Sequence, residues 1–158
     1  MRYVFGILVF LIGLVFLVLM PGDIGWIFIF VNLPSIVQLI ITIAAVIIAT
    51  GEFKTFVAAT NALLSKNYYI PVAVKEKAIK LYKLLSKSVV YASILFFVAG
   101  VMLILGAIDD LSKIGPSVMV SLNSIFYGTL INLVFINPAI NILETRQNQG
   151  EEKVYLAQ

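Results

Sequence analysis

The sequence predicts an all-α integral membrane protein with four transmembrane helices, on the basis of composition and of the spacing of its apolar runs. Hydrophobic residues make up 61% of the 158 residues, charged residues make up 12%, and the mean hydropathy is +1.07. An average soluble domain is about 45–50% apolar and about 25% charged. A soluble domain of this size also buries too little of its surface to hide such an excess. Lipid is therefore the solvent that the composition favours.

Four apolar runs have the length of membrane spans, for which about 20 residues are needed. We predict a single four-span domain over residues 1–143 and a polar tail over 144–158. None of the predicted spans contains Asp, Glu, Lys or Arg. The spans are predicted over about 3–20, 34–50, 88–108 and 115–143.

The first two runs are bounded by turn and helix-start signals. The first ends at the turn signal Pro21-Gly22-Asp23, and no small-x-small cleavage site follows, so a retained span is favoured over a cleaved signal peptide. Pro34 suits the first turn of the second helix. Beyond Gly51 the pattern becomes amphipathic, with Phe53 among its apolar positions, so we expect the second helix to continue into solvent.

A basic helical segment over residues 51–87 sets the orientation. It contains seven of the eleven Lys and Arg residues. A turn signal at 66–71 divides it, and from Val74 its apolar residues recur at helical spacing up to the run that starts at Ser88. We predict one long helix that begins in solvent and enters the membrane. The positive-inside rule places this segment in the cytoplasm, so both termini are cytoplasmic and helices 2 to 4 extend there. A peptide-binding or membrane-surface helix is the alternative, but a helix that enters the membrane beside anionic head groups is favoured.

Several classes of function are not supported by the residue content. The chain has no Cys and no His, which excludes disulfides and most zinc, copper and haem sites. It contains no recognisable nucleophile–base pair, phosphate-binding glycine loop or metal-ligand cluster, so we expect no enzyme, cofactor or metal. Nucleic-acid binding is not expected either, because the lysines flank membrane helices.

Small and polar residues form one stripe on the fourth span. In lipid, small residues let helices approach closely, and hydroxyl and amide groups bond between helices, so a packing seam is the favoured interpretation. The alternative is the polar wall of a narrow ion path. Asn123, Thr129 and Asn137 lie off this stripe, which suggests burial on several sides and hence a homo-oligomer. The stripe consists of Ser117, Ser121, Ser124, Gly128 and Asn132.

The block from Gly100 to Pro138, GVMLILGAIDDLSKIGPSVMVSLNSIFYGTLINLVFINP, resembles the last two helices of the MotA/TolQ/ExbB proton-channel family. The resemblance rests on a glycine in the third span, an Asp-Asp turn, Ile-Gly-Pro at the start of the fourth helix, Tyr-Gly, Asn-Leu-Val-Phe and a final proline. Leu33-Pro34-Ser35 before the second span adds a weaker match.

The resemblance implies a ring, typically a pentamer, in a bacterial inner membrane. Such a ring surrounds a single-span partner of the MotB, TolR or ExbD type that supplies the ion-binding aspartate, and proton or sodium flow drives mechanical work. This would account for spans without carboxylates. The candidate ion-path residues are Ser93, Ser124 and Asn132. The expected structural or packing residues are Gly100, Pro116, Ser117, Ser121, Gly128 and Pro138.

Two positions depart from the family pattern. Where the family has pore threonines, this chain has Phe97 and Ile125, which cannot make the same hydrogen bonds. The cytoplasmic segment is also much shorter than in MotA subunits, so no rotor contacts are carried over. These departures motivate an alternative, a non-conducting structural ring that retains the fold. An unrelated four-span protein is a third hypothesis.

Overall fold

The structure is a computed structural model that describes residues 2–19, 32–65, 71–106 and 114–145. Within these ranges the chain is helical and contains no strand. The predicted turn at 21–23, the apolar and aromatic sequence that follows it over 24–31, the turn at 66–69, the Asp-Asp turn at 109–110 and the polar tail from 146 lie outside the described residues. The helices are α1 (Arg2–Leu19), α2 (Leu33–Thr50), α3 (Phe53–Leu64), α4 (Val72–Gly106) and α5 (Ile114–Ile131).

Helix α2 begins and ends with defined caps. The side-chain oxygen of Asn32 accepts a hydrogen bond from the Ser35 N–H, as an N-cap residue should, and Pro34 lies in the first turn as predicted. Gly51 ends the helix in the left-handed conformation, with φ of 67°, which a residue with a Cβ adopts at a cost. The predicted continuation of this helix is therefore wrong, because the chain breaks at Gly51 and starts a separate helix, α3.

Helix α4 is 35 residues long and joins the lysine-bearing segment to the apolar run without a break, as predicted. The residues of α4 that are buried within the chain lie in its first two-thirds, from Ala78 to Ser93. The remainder, up to Gly106, is half-exposed or exposed in the single chain.

The last helical region changes its winding. After α5 comes a π-helical segment, Asn132–Ile136, in which the N–H of Asn137 bonds to the carbonyl of Asn132. Regular helix resumes over 137–145 (the terminal stretch). Pro138 offers a reason for the wider turn, since it has no N–H and its ring would clash with the carbonyl of Val134 in a regular α-helix.

Three described helices are long and apolar enough to cross a membrane: Leu33–Thr50, Val72–Gly106 and Ser117–Thr145. These helices have the length and composition of membrane spans, and they fit a membrane protein. The apolar stretch in α1, Phe5–Phe16, is shorter than these three, so the first of the four predicted spans stays a prediction.

The hydrophobic core lies near the lysine-bearing part of α4 rather than along its apolar part. There α3, α4 and the terminal stretch pack together with α2. Tyr82 stacks on Phe56 at 5.8 Å between ring centroids, and its hydroxyl lies 2.9 Å from the Thr60 hydroxyl. The largest fully buried side chains are Leu39, Leu85, Val89 and Leu143.

Candidate functional site

The candidate site is the polar seam, which we define as the contacts that Ser86, Ser93, Ser121, Ser124 and Asn132 make between helices. Four of these residues were singled out from the sequence. The seam runs between α4 on one side and α5 with the π segment on the other, and α2 joins it at one point.

Two glycines set the spacing between α4 and α5. A Cβ added to Gly128 would lie 2.5 Å from both Cβ and Oγ of Ser93, and one added to Gly100 would lie 2.6 Å from Oγ of Ser121. Contacts that short do not occur between real side chains. The two helices therefore approach closely at both glycines, as expected where helices pack in lipid.

Asn132 and Ser86 form a two-way bridge at the lysine-bearing end of the seam. The Ser86 hydroxyl donates to Asn132 Oδ1 at 2.9 Å, and Asn132 Nδ2 donates to the Ser86 carbonyl at 3.3 Å. The Asn132 amide thus bonds to both the hydroxyl and the backbone carbonyl of Ser86 on α4. This pairing fixes the axial position of α4 relative to the π segment.

At the start of α2 a second set of polar contacts reaches α5. The hydroxyls of Ser35 and Ser124 lie 3.2 Å apart. The backbone N–H of Asn32 donates to the Tyr127 hydroxyl at 3.0 Å, and its side-chain Nδ2 donates to the Val120 carbonyl at 3.2 Å. The residue that caps α2 therefore also ties it to α5.

The chemistry of the seam is neutral throughout. Its members are hydroxyls and one amide, and every buried side-chain N or O atom among the described residues has a hydrogen-bond partner. The described residues contain no group of three or more His, Cys, Asp or Glu that could hold a metal ion. These contacts are therefore suited to joining helices, and the seam itself carries no acid, base or charged ligand.

The three candidate ion-path residues all lie inside this seam. Ser93 and Ser124 are 3% and 4% exposed, and Asn132 is half-buried against Ser86. The Ser93 hydroxyl donates to the Val90 carbonyl of its own helix. In the single chain these groups face other helices of the same chain rather than an open surface.

The other predicted residues are distributed as follows. Ser117 is half-buried, and its carbonyl accepts from the Ser121 hydroxyl one turn later. Phe97 and Ile125 are half-buried. Pro116 lies in the first turn of α5, and Pro138 follows the π segment.

Residues off the stripe have different surroundings. Asn123 is buried within the chain, whereas Thr129 and Asn137 are exposed. Thr129 lines an apolar groove of about 380 Å³ between α1 and α5, and a second groove of about 390 Å³ lies between α1 and the terminal stretch.

Asn32 and Ser86 were not singled out from the sequence, and Tyr127 and Ser35 were noted only as parts of the resemblance. A signal existed for Asn32, because Asn directly before Leu-Pro-Ser is an N-cap pattern. No local pattern predicts the partners of Ser86 or Tyr127, because those lie 46 and 95 residues away along the chain.

No protein-family model matches this chain, and a search of curated proteins found no match either.

Proposed function

We propose that this chain is a ring-forming subunit of an ion-driven motor in a bacterial inner membrane, similar to MotA/TolQ/ExbB subunits. In this proposal it crosses the membrane four times with both termini in the cytoplasm. Copies of the chain, five in the simplest case, surround a single-span partner of the MotB, TolR or ExbD type. Proton or sodium flow along the partner then drives mechanical work.

The observation that carries the proposal is the position of Gly100 and Gly128. Both belong to the block on which the resemblance rests, and both are points where a Cβ has no room between α4 and α5. The two glycines that contribute to the resemblance therefore lie in one packed pair of helices, α4 and α5.

The neutral seam supports a partner that brings its own charge. Ion and proton pathways in membranes usually need an ionisable group. The predicted spans contain no Asp, Glu, Lys or Arg. A carboxylate supplied by a second protein would meet this need.

A non-conducting structural ring is the second candidate, and the burial of Ser93 favours it. A partner's carboxylate can reach this hydroxyl only if α4 and α5 separate, because Ser93 packs against Gly128. Phe97 and Ile125, at the positions of the family's pore threonines, add no hydrogen-bond donor.

Mass measurement of the purified complex and ion flux in liposomes test both candidates. We expect an assembly of several copies, and a stable monomer would exclude both. Flux of protons or sodium should require a single-span protein with an aspartate at the start of its span, such as one encoded next to this chain. An intact ring without flux with any such partner would exclude the motor and leave the structural ring.

Two matched variants test whether the Ser124 hydroxyl serves the ion path. Ser124→Ala and Ser35→Ala remove the same hydrogen bond, but only the first removes the hydroxyl of α5. The motor proposal predicts that flux is lost in Ser124→Ala and kept in Ser35→Ala. Equal flux in both variants would show that this hydroxyl is only a packing group.

A further inference from the structure

The first half of α4 presents a face of lysines to the surroundings of the chain. Most apolar residues of the same turns, such as Leu81 and Leu85, are buried against the rest of the protein, whereas Leu84 is 43% exposed. On an α-helix, residues three and four apart share a face, so the exposed lysines form one row. We call this row the lysine face; it consists of Lys77, Lys80, Lys83 and Lys87.

The lysine face lies at a defined distance from the uncharged run of α4. That run begins at Ser88, and the helix is unbroken across this point. At 1.5 Å per residue, Lys87 lies about 1.5 Å, Lys83 about 7.5 Å and Lys80 about 12 Å before it. The polar layer on each side of a bilayer is about 5–7.5 Å thick. Lys87 therefore lies at head-group depth, Lys83 lies at the outer edge of that layer, and Lys80 lies about 5 Å outside it.

Two carboxylates partly balance this charge. Glu76 is exposed one turn before Lys80, and Glu144 of the terminal stretch pairs with Lys83 at 2.7 Å between Nζ and Oε1. Both partners of that pair are largely exposed, at 55% and 40%, and exposed pairs are weak. Four lysines against two carboxylates leave a net positive face.

We propose that Lys80, Lys83 and Lys87 bind the phosphate groups of anionic phospholipids. Lys83 exchanges its contact with Glu144 for a lipid phosphate when such a lipid is present. The inference rests on the proposed membrane position of α4, because that position brings the lysines to the head groups. Ammonium groups near an anionic surface attract it, and the attraction falls off within a Debye length of about 8 Å at physiological salt.

The test measures which lipid stays with the full-length protein. The chain is reconstituted in bilayers with equal amounts of phosphatidylglycerol and phosphatidylcholine, purified in mild detergent, and the retained lipids are quantified by mass spectrometry. We expect phosphatidylglycerol to be enriched. The variant Lys83→Gln/Lys87→Gln should reduce the enrichment by roughly fivefold per lysine, and raised salt should reduce it in the wild type.

Two further variants control for folding and for general charge. Lys54→Gln removes an exposed lysine of α3, outside the lysine face, and should leave the enrichment unchanged. Glu144→Gln frees Lys83 and should raise the enrichment, a gain that misfolding does not produce. The proposal fails if the wild type shows no preference, if the double variant keeps it, or if Lys54→Gln lowers it equally. If the lysine face binds an acidic protein segment instead of lipid, the double variant would keep the same lipid preference as the wild type.

The mass of the assembly, measured on the same samples, separates this proposal from the proposed function. A ring without preference for phosphatidylglycerol overturns only the lipid site. A monomer that retains phosphatidylglycerol through these lysines overturns only the ring.

Discussion

The two halves of α4 pack by different means. The lysine-bearing half buries large apolar side chains, among them Leu85 and Val89, against three other helical segments. The apolar half turns most of its large side chains outward, with Leu95 at 64% and Leu103 at 75% exposed. This half meets α5 through small and polar groups such as Gly100, which lies against Ser121.

The proposed membrane position of α4 accounts for this difference, because it places the lysine-bearing half in water and the apolar half in lipid. In water, burying apolar surface stabilises a contact, so large side chains point inward. In lipid that drive is absent between helices, because acyl chains are as apolar as leucine, so close approach and hydrogen bonds hold the helices together. One continuous helix thus crosses from one kind of packing to the other, with the change near Ser93.

Leu85→Ala should have the largest effect on stability. The side chain is 2% exposed in the core of the lysine-bearing half, and truncation there leaves a cavity. We expect a loss of about 2–5 kcal/mol in the free energy of unfolding, measured by denaturation in detergent micelles. Leu84→Ala on the same turn is the control, because Leu84 is 43% exposed. Equal effects of the two variants would contradict the assignment of the core.

Gly128→Ala should have the next largest effect on stability, and it tests the close packing between α4 and α5. The added Cβ would clash with Ser93, so we expect a loss of about 1–3 kcal/mol from overpacking. Gly13→Ala in α1 is the matched control, since nothing lies within 4 Å of its Cβ. Ser93→Gly should restore part of the stability of Gly128→Ala. If it does not, the two residues are not in contact.

The sequence predicts much of the fold because its strongest signals are local. Apolar run length predicts the three helices that are long enough to cross a membrane, and the join at Ser88 follows from helical spacing that continues across it. The second helix was predicted too long, because an amphipathic pattern resumes after Gly51 and the pattern does not show that this glycine is left-handed. The local signal for the π segment is Pro138, which lacks the N–H of a regular helix.

The candidate site was only partly predictable, because its contacts are between distant residues. The small and polar stripe on the fourth span predicted a packing seam, but it did not show which helix it packs on or that Gly128 meets Ser93. Ser86 lies between Lys83 and Lys87 in a segment that is predicted to be in solvent, so its neighbours in the sequence do not indicate a contact with Asn132.

A double-mutant cycle on Ser86 and Asn132 should give a smaller effect than the clash at Gly128. Ser86→Ala removes one of the two bridging bonds, and Asn132→Ala removes both. Interhelical hydrogen bonds in membrane proteins average about 0.6 kcal/mol and reach about 1.7 kcal/mol. We expect a coupling energy in this range from unfolding of the single and double variants. A coupling near zero would mean that the amide is satisfied elsewhere and that the bridge does not stabilise the pair.

Tyr3→Phe should have the smallest effect, and it tests how α1 is attached. Helix α1 exposes most of its large side chains, including Phe5 at 69% and Phe16 at 71%. The Tyr3 hydroxyl donates to the Phe135 carbonyl in the π segment at 2.8 Å. Its loss should weaken this local attachment by about 0.6 kcal/mol, which is a roughly threefold change in an opening equilibrium.

The measurement for Tyr3→Phe is amide hydrogen exchange in detergent micelles, compared with global unfolding of the same variant. We expect amides of α1 to exchange up to about threefold faster while α4 and α5 are unchanged, because α1 contributes little to their packing. Tyr91→Phe is the control, since Tyr91 is 70% exposed on the apolar half of α4. If both variants exchange alike, the hydroxyl does not anchor α1. If instead the whole chain is destabilised, α1 unfolds together with the seam as one cooperative unit and is not a peripheral helix.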